Sequence, residues 1–472
     1  MGTLDLELGH KSWSFLFYLF HHFPRLMLGI GPDAVFVCIG YVLRFMNRLG
    51  LNRTRMMMSH GWTYDKEEGF RCPMSIRERL VNACAKNETA EAAEIKWEEK
   101  TKEKWKYWSY AQRREYELCF EIGEFASFGI STKELKYDAT LSCLGMTKVM
   151  RVWRTDEDLR TCKRFCILLP FTGDEGFYLR KDRSQELVAK GVCCLIPELP
   201  YYGSRRALEG QTEFFMRSIS DYSTKALVSY ADVVALTAHV KETLAMHNHE
   251  SGSLVISGCS IGGYYCVPAA ILAQLLTKNN KKMRKGKRSV NLKIGVSAFC
   301  GWLSFDNWFQ DEEKLPMAVL LTNLEMLANV GMSSLDKMTT NVREAYLGAM
   351  KETNLKKKRI KMRETLALFL DDMGSWSQFE WRIKKRAKEE KTEKKLLNID
   401  GILDAVSFAH ARHDKFIPYS KEKMEREVEQ LNALSRTKPI VEVLECDHMV
   451  AISRKGPAIR LILDTFDRMV YE

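Results

Sequence analysis

The sequence predicts an α/β protein built on a mostly parallel, doubly wound sheet, with a helical extension before it and a helical insertion near its end. Short apolar runs at 165–169, 192–196, 254–257 and 294–299 alternate with stretches of helical spacing at 180–190, 215–246 and 262–276. Runs without polar alternation are what strands buried on both faces look like, and the β-α-β-α-β-α-β order is the signature of parallel crossovers. Two further apolar runs, at 405–409 and 441–444, continue the pattern after a long stretch that offers no strand.

The elements follow in order. Residues 1–53 are apolar over 13–23 and again over 26–43, where Pro32-Asp33 interrupts the run. A transmembrane helix needs about 20 apolar residues and an Asp at mid-membrane costs on the order of 3 kcal/mol, so an interfacial or hairpin insertion competes with a full crossing. A buried helix packed on the protein body is the plainer alternative. Asp5 and Glu7 argue against a transit peptide, and no small-residue cleavage site follows a compact apolar core. Residues 54–130 are read as a charged helical region, in which 76–125 is heavily charged, carries Trp97, Trp105, Trp108 and Tyr116, and contains no turn cluster, which reads as long exposed helices. The α/β core is expected at 131–302 and 400–472, and residues 303–399, basic and methionine-containing, read as a helical cap inserted between its strands.

The 472 residues include 46% hydrophobic and 28% charged side chains, the composition of a folded protein rather than a disordered one. Thirteen cysteines occur singly or inside apolar runs such as Val192-Cys193-Cys194-Leu195, which excludes a disulfide framework or zinc spacing and points to a reducing, intracellular compartment. The net charge of +11 is concentrated in local runs, at 281–288, 356–359 and 384–395, each most simply a solvated face. No nucleic-acid-binding pattern accompanies them, so no nucleic acid is expected as a partner.

Chemistry is concentrated at Gly258-Cys259-Ser260-Ile261-Gly262. Gly-x-Ser-x-Gly alone arises by chance in roughly one chain in ten of this length, so context has to decide. Here the strand-like run ends directly on Gly258 and an apolar helix begins after Ser260, as a strained strand-to-helix elbow requires. Such an elbow specifies the α/β-hydrolase fold, with Ser260 as candidate nucleophile; Cys259, the rival, occupies a position that normally points away from the site. In that fold an acid and then a histidine follow the serine. His448 lies just past the 441–444 run and is the candidate base, ahead of His410 and His413. Asp414 lies past the 405–409 run and is the candidate acid, ahead of Asp447, Asp371 and Asp372. The N–H of Ile261, together with that of Thr172 in the loop Pro170-Phe171-Thr172-Gly173-Asp174, would form the oxyanion hole. That loop also reads as an ordinary turn with Asp174 as a helix cap. Neither metal nor cofactor is implied.

Thr172-Gly173-Asp174, Glu198-Leu199-Pro200-Tyr201-Tyr202-Gly203-Ser204-Arg205, Gly258-Cys259-Ser260-Ile261-Gly262-Gly263 and Asp414-Lys415-Phe416-Ile417-Pro418 with His448 together resemble the alpha/beta hydrolase domain-containing protein 18 family. The resemblance spans roughly 165–302 and 405 to the end, and implies the hydrolase fold with Ser260, Asp414 and His448 as its catalytic set. The expected activity is acyl-ester hydrolysis through an acyl-enzyme. The expected substrate is a membrane lipid, because the apolar 13–43 segment is flanked by Arg25, Arg44, Arg48 and Arg53 and would hold the chain at an anionic surface. An intracellular, membrane-associated location follows, the mitochondrion and the endoplasmic reticulum both fitting. The competing expectation is a hydrolase-fold protein without catalysis that acts as a membrane-associated binding or scaffold protein. Its attraction is Pro170-Phe171, standing where many hydrolases carry His-Gly, and the large share of chain outside the core.

Overall fold

The six apolar runs become six neighbouring parallel strands: β5 (Arg164–Leu169), β6 (Cys193–Pro197), β7 (Ser251–Cys259), β8 (Asn291–Phe299), β9 (Ala405–Ala411) and β10 (Ile440–Leu444). The computed structural model describes residues 71–128, 142–154, 160–174, 176–206, 218–277, 290–305, 340–390, 399–414, 417 and 420–470. The apolar 1–53 segment, the basic run at 281–288 and the first part of the expected cap lie outside them.

Strand order runs β6-β5-β7-β8-β9-β10, so the chain steps to one side of β5 to make β6 and to the other side to make β7. This reversal opens a crevice at the carboxyl ends of β5 and β7, where open α/β sheets bind ligands. Alternation along each strand fills both faces. Phe165, Ile167 and Leu169 point to one layer and Cys166 and Leu168 to the other; Cys193 and Leu195 oppose Cys194 and Ile196 in the same way. The first layer holds α3 (Ile219–Met246) and α4 (Ile261–Thr277). The second holds α2 (Tyr178–Ala189) and α10 (Lys455–Val470). This is the α/β-hydrolase fold.

Residues 76–125 are not the long exposed helices that their charge suggests. Only α1 (Arg71–Ala85) is helical, and the rest extends the sheet with antiparallel strands β1 (Lys96–Trp97), β2 (Glu103–Ser109), β3 (Arg114–Ala126) and β4 (Met146–Trp153), the last pairing with β6. The deciding pattern is period two. Lys104 and Lys106 face solvent and pair across the ladder with Glu117 and Glu115 at 3.2 and 3.0 Å, while Trp105 and Tyr107, at the alternate positions, pack inward. One wet face and one packed face account for both the charge and the aromatics. The α/β core therefore begins well before residue 131.

Helices α5 (Thr340–Met350), α6 (Leu355–Gly374) and α7 (Trp376–Glu389) make up the described part of the insertion. With α1 they form a third layer that covers α3, which is why that 28-residue helix is buried around most of its circumference. Buried Arg77 ties the layer together, donating to Asp372 Oδ2 at 3.1 Å, while Arg382 donates to Oδ1 at 2.6 Å. Lys356 and Lys357, at the start of α6, are solvated.

His239 on α3 lies under this N-terminal extension, its Nδ1–H donating to Ala93 O at 3.2 Å and its ring 6.3 Å from that of Trp97. Burial, reinforced by Arg151, pushes the imidazole from the ordinary 6.5 down to about 4. The unfolded chain thus takes up this proton near pH 6.5 and the folded chain only near pH 4, so stability is lost as pH falls through that window. Denaturation midpoints for wild type and His239→Gln should show a difference that grows from pH 4 to 6.5 and is level above it. A pH-independent difference would contradict it.

Candidate active site

The elbow is a steric construction. Ser260 follows β7 with φ at +54°, and α4 begins on the next residue. That left-handed turn is costly for a residue with a side chain and persists only where its surroundings enforce it. They do so by close packing: a Cβ on Gly258 would lie 2.5 Å from the Gly262 carbonyl, one on Gly262 2.6 Å from Pro170 O, and one on Gly263 2.9 Å from Gly301 Cα. The turn is held from below by Ser260 N–H donating to Phe299 O at 2.9 Å.

His448 Nε2 lies 2.9 Å from Ser260 Oγ, and its Nδ1 lies 2.5 Å from Asp414 Oδ2. With Nδ1 protonated, the imidazole donates to the carboxylate and accepts from the hydroxyl, so both contacts are satisfied at once. His448 and Asp414 are buried and Ser260 is partly exposed. Asp414 follows β9, and its other oxygen accepts Ile417 N–H at 2.7 Å, which fixes the carboxylate plane. His448 opens α9 (His448–Ser453), and Asp447 is that helix's N-cap, accepting Val450 N–H at 2.8 Å. The adjacent aspartate therefore orients the backbone of the histidine and not its ring.

The other candidates are engaged elsewhere. His410 faces Glu427 at 3.3 Å beneath α8 (Lys421–Leu434), and His413 is solvent-exposed beside Glu445. Asp371 accepts from Ser304 Oγ and Phe305 N–H, both at 2.8 Å, and Asp372 is taken by the two arginines. Cys259 points away from Ser260's partners and receives a hydrogen bond from Arg183.

The loop after β5 passes against the elbow, as the Gly262 to Pro170 approach requires. Asp174 is not a helix cap; it is buried and pairs with Arg180 of α2 at 2.7 Å. Gly173 N–H donates to Tyr202 Oη at 3.1 Å, which removes it as an oxyanion donor and leaves Thr172 as the neighbouring candidate. Ile261 opens α4, so its N–H belongs to the first turn and has no intrahelical acceptor. Tyr202 was not legible as a loop anchor, although its run, Pro200-Tyr201-Tyr202-Gly203, is the most particular in the chain. Among the described residues no cluster of His, Cys, Asp or Glu is arranged to hold a metal ion.

Gly262→Ala should cost about 1 to 3 kcal/mol of stability, because Pro170 O is backbone and cannot swing aside. Gly456→Ala in α10, where a Cβ meets nothing within 4 Å, should be neutral or stabilising. Urea melts of the two variants check this, and equal effects would refute it.

Solved structures similar to the chain include a putative hydrolase from Legionella pneumophila, 12% identical over 75% of this chain and 89% of that one, with a TM-score of 0.38. Esterase Est22 is 11% identical, covering 87% and 92%, at 0.36. Brefeldin A esterase, described as a bacterial homologue of human hormone sensitive lipase, is 10% identical, covering 91% and 93%, at 0.36. At such TM-scores the likenesses decide nothing about this chain's chemistry. No curated protein matches the sequence. Residues 144–282 match the family model described as alpha/beta hydrolase domain containing 18. That matched stretch runs from the start of β4 through α4 and holds the Pro200–Arg205 run and the elbow serine.

Proposed function

We propose that the protein is a serine hydrolase that cleaves acyl esters through a covalent acyl-enzyme. The observation that carries this reading is the continuous hydrogen-bonded path from Ser260 Oγ through His448 to Asp414 at the carboxyl ends of β7, β9 and β10. In the proposed mechanism His448 Nε2 takes the Ser260 proton as Oγ attacks the ester carbonyl, and Asp414 stabilises the imidazolium so formed. The oxyanion is held by the N–H groups of Ile261 and Thr172. His448 then returns the proton to the leaving alcohol, and a water activated by the same imidazole releases the acyl group. The 2.9 Å contact between Ser260 and His448 supports this reading over a catalytically silent scaffold, which a wide separation of the two would have favoured.

Labelling with a fluorophosphonate probe tests the chemistry. Wild type should label, Ser260→Ala should not, and Asp414→Asn should turn over an ester about 10⁴-fold more slowly because the imidazole is left in the wrong tautomer. Equal labelling of wild type and Ser260→Ala would sink the reading.

The substrate proposed is a lipid acyl ester met at a membrane surface. Its support is the apolar, arginine-flanked segment at 13–43 and the methionine- and leucine-containing stretch at 317–332, both outside the described residues. No helix among the described residues is long and apolar enough to cross a membrane, so the attachment proposed rests on residues 1–53. Carbonate-resistant membrane association that is lost when 1–53 are removed, with preference for phospholipid over short soluble esters, is the expected result. A protein found wholly in the soluble fraction that favours short esters contradicts it.

A further inference from the structure

Arg183, in the middle of α2, takes no part in the proposed proton path, yet its guanidinium contacts a residue in each of the three segments that the site is made from. Nη1 donates to Cys259 Sγ at 2.8 Å, and Cys259 is the residue before the nucleophile. Nη2 donates to the carbonyl of Ile452, on the short helix that begins with His448. The guanidinium carbon lies 6.0 Å from the ring centre of Phe171, the residue before Thr172 in the oxyanion loop. Among the described residues Arg183 forms no ion pair, although Asp174 is close enough to share its field; that carboxylate is held by Arg180 instead. An arginine whose donors go to a thiol and a carbonyl rather than to an acid is placed for geometry. Only a planar guanidinium presents two donors at a fixed angle to two acceptors on different elements, and an ammonium has no such fork.

The three contacts bear on one another because the elbow, the base helix and the loop come from β7, β10 and β5, strands far apart in sequence. The Ser260–His448 bond is only as well formed as the placement of β7's end relative to α9. Apart from the triad bond itself, Arg183 supplies a direct polar bridge between those two elements. One residue away along α2, Asp182 pairs with Lys455 at the start of α10, just past the base helix. Burial keeps the Cys259 thiol protonated against the pull of Arg183, so the sulfur acts as a neutral acceptor and not as a second nucleophile.

We propose that Arg183 is a positioning residue, a clamp that holds the nucleophile turn, the base helix and the oxyanion loop in register for acyl transfer. The inference rests on the hydrolase reading above. Misplacing reacting groups by about 1 Å costs about 100-fold in rate, so the expected signature is a loss in kcat with KM kept.

The test uses the full-length chain, a chromogenic ester and the fluorophosphonate labelling rate. Arg183→Ala should lower kcat and the labelling rate together by about 100-fold, and Arg183→Lys by about tenfold, with KM within about twofold in both. Added guanidinium ion should restore part of the rate of Arg183→Ala while leaving wild type unchanged, a rescue that a merely structural arginine would not show. Should Arg183→Ala fail to fold, the coupling between Arg183→Lys and Cys259→Ala decides. Cys259→Ala should slow the wild-type background and add nothing in the Arg183→Lys background. Labelling at the wild-type rate by a folded Arg183 variant, a loss confined to KM, or additive effects would overturn the clamp alone. A wild-type protein that does not label would overturn the hydrolase reading and the clamp with it.

Discussion

Ser260 sits at φ +54° between a strand and a helix, and a turn that tight presses Gly258 against Gly262, Gly262 against the Pro170 carbonyl and Gly263 against Gly301. Each approach leaves space for a hydrogen and nothing more. The consequence reaches past the turn, because Pro170 belongs to the loop after β5 and Gly301 to the loop after β8. The ends of three strands are thereby brought into backbone contact around one hydroxyl. His448 and Asp414 then need only be delivered by β10 and β9, the next strands along, for the hydrogen-bonded path to close. Strain at the serine is offset by packing that the glycines alone permit, and the same packing brings the candidate oxyanion loop beside Ser260.

The parallel half of the sheet was legible because doubly buried strands write themselves as uninterrupted apolar runs, and each of the six was found within a few residues of its true ends. The antiparallel half was misread for an equally physical reason. In β2 and β3 one face is solvated by Lys104, Lys106, Glu115 and Glu117, so their mean composition resembles that of an exposed helix. The alternation Lys-Trp-Lys-Tyr is present, but charge on every second residue hides it in the mean composition. Aromatic residues at every second position are the sign of a half-buried strand, and Trp105 against Phe120, edge to face at 4.9 Å, is the packing they make.

At the candidate site, the convergence of Ser260, Asp414 and His448 was legible because each stands just past an apolar run, where the fold delivers side chains to the crevice. Asp447 could be set aside as the acid, but its role as N-cap of the histidine's helix emerges only from the hydrogen bond to Val450 N–H. Tyr202 and Arg183 left no such trace. Their partners are a backbone N–H, a backbone carbonyl and a thiol, none of which constrains residue identity in a way that spacing reveals. The three residues of the hydrogen-bonded path follow topological rules, whereas the residues packed around them follow local geometry.

The Pro200–Arg205 run shows how the antiparallel strands belong to the same machine. Tyr201 and Gly203 both take positive φ, at 68° and 52°, so the chain coils on itself directly after β6. The coil sends Tyr202 toward Gly173 in the candidate oxyanion loop and Arg205 the other way, into a buried pair with Asp232 of α3 at 2.6 Å. Arg205 also donates to Leu144 O at 2.5 Å, and Asp232 accepts from Thr147 Oγ1 at 3.0 Å and from Ser127. Leu144 and Thr147 flank the start of β4, and Ser127 follows the end of β3. One short segment thus joins the candidate oxyanion loop, the central helix and the N-terminal strands. A buried ion pair contributes little net stability when compared with apolar packing, but leaving either member alone is expensive. Such a pair therefore serves chiefly to demand that its surroundings form correctly. Here the surroundings it demands include both β3 and β4, so the loop beside Ser260 is anchored to a sheet that has to be complete at its antiparallel side before the site can be complete at its centre.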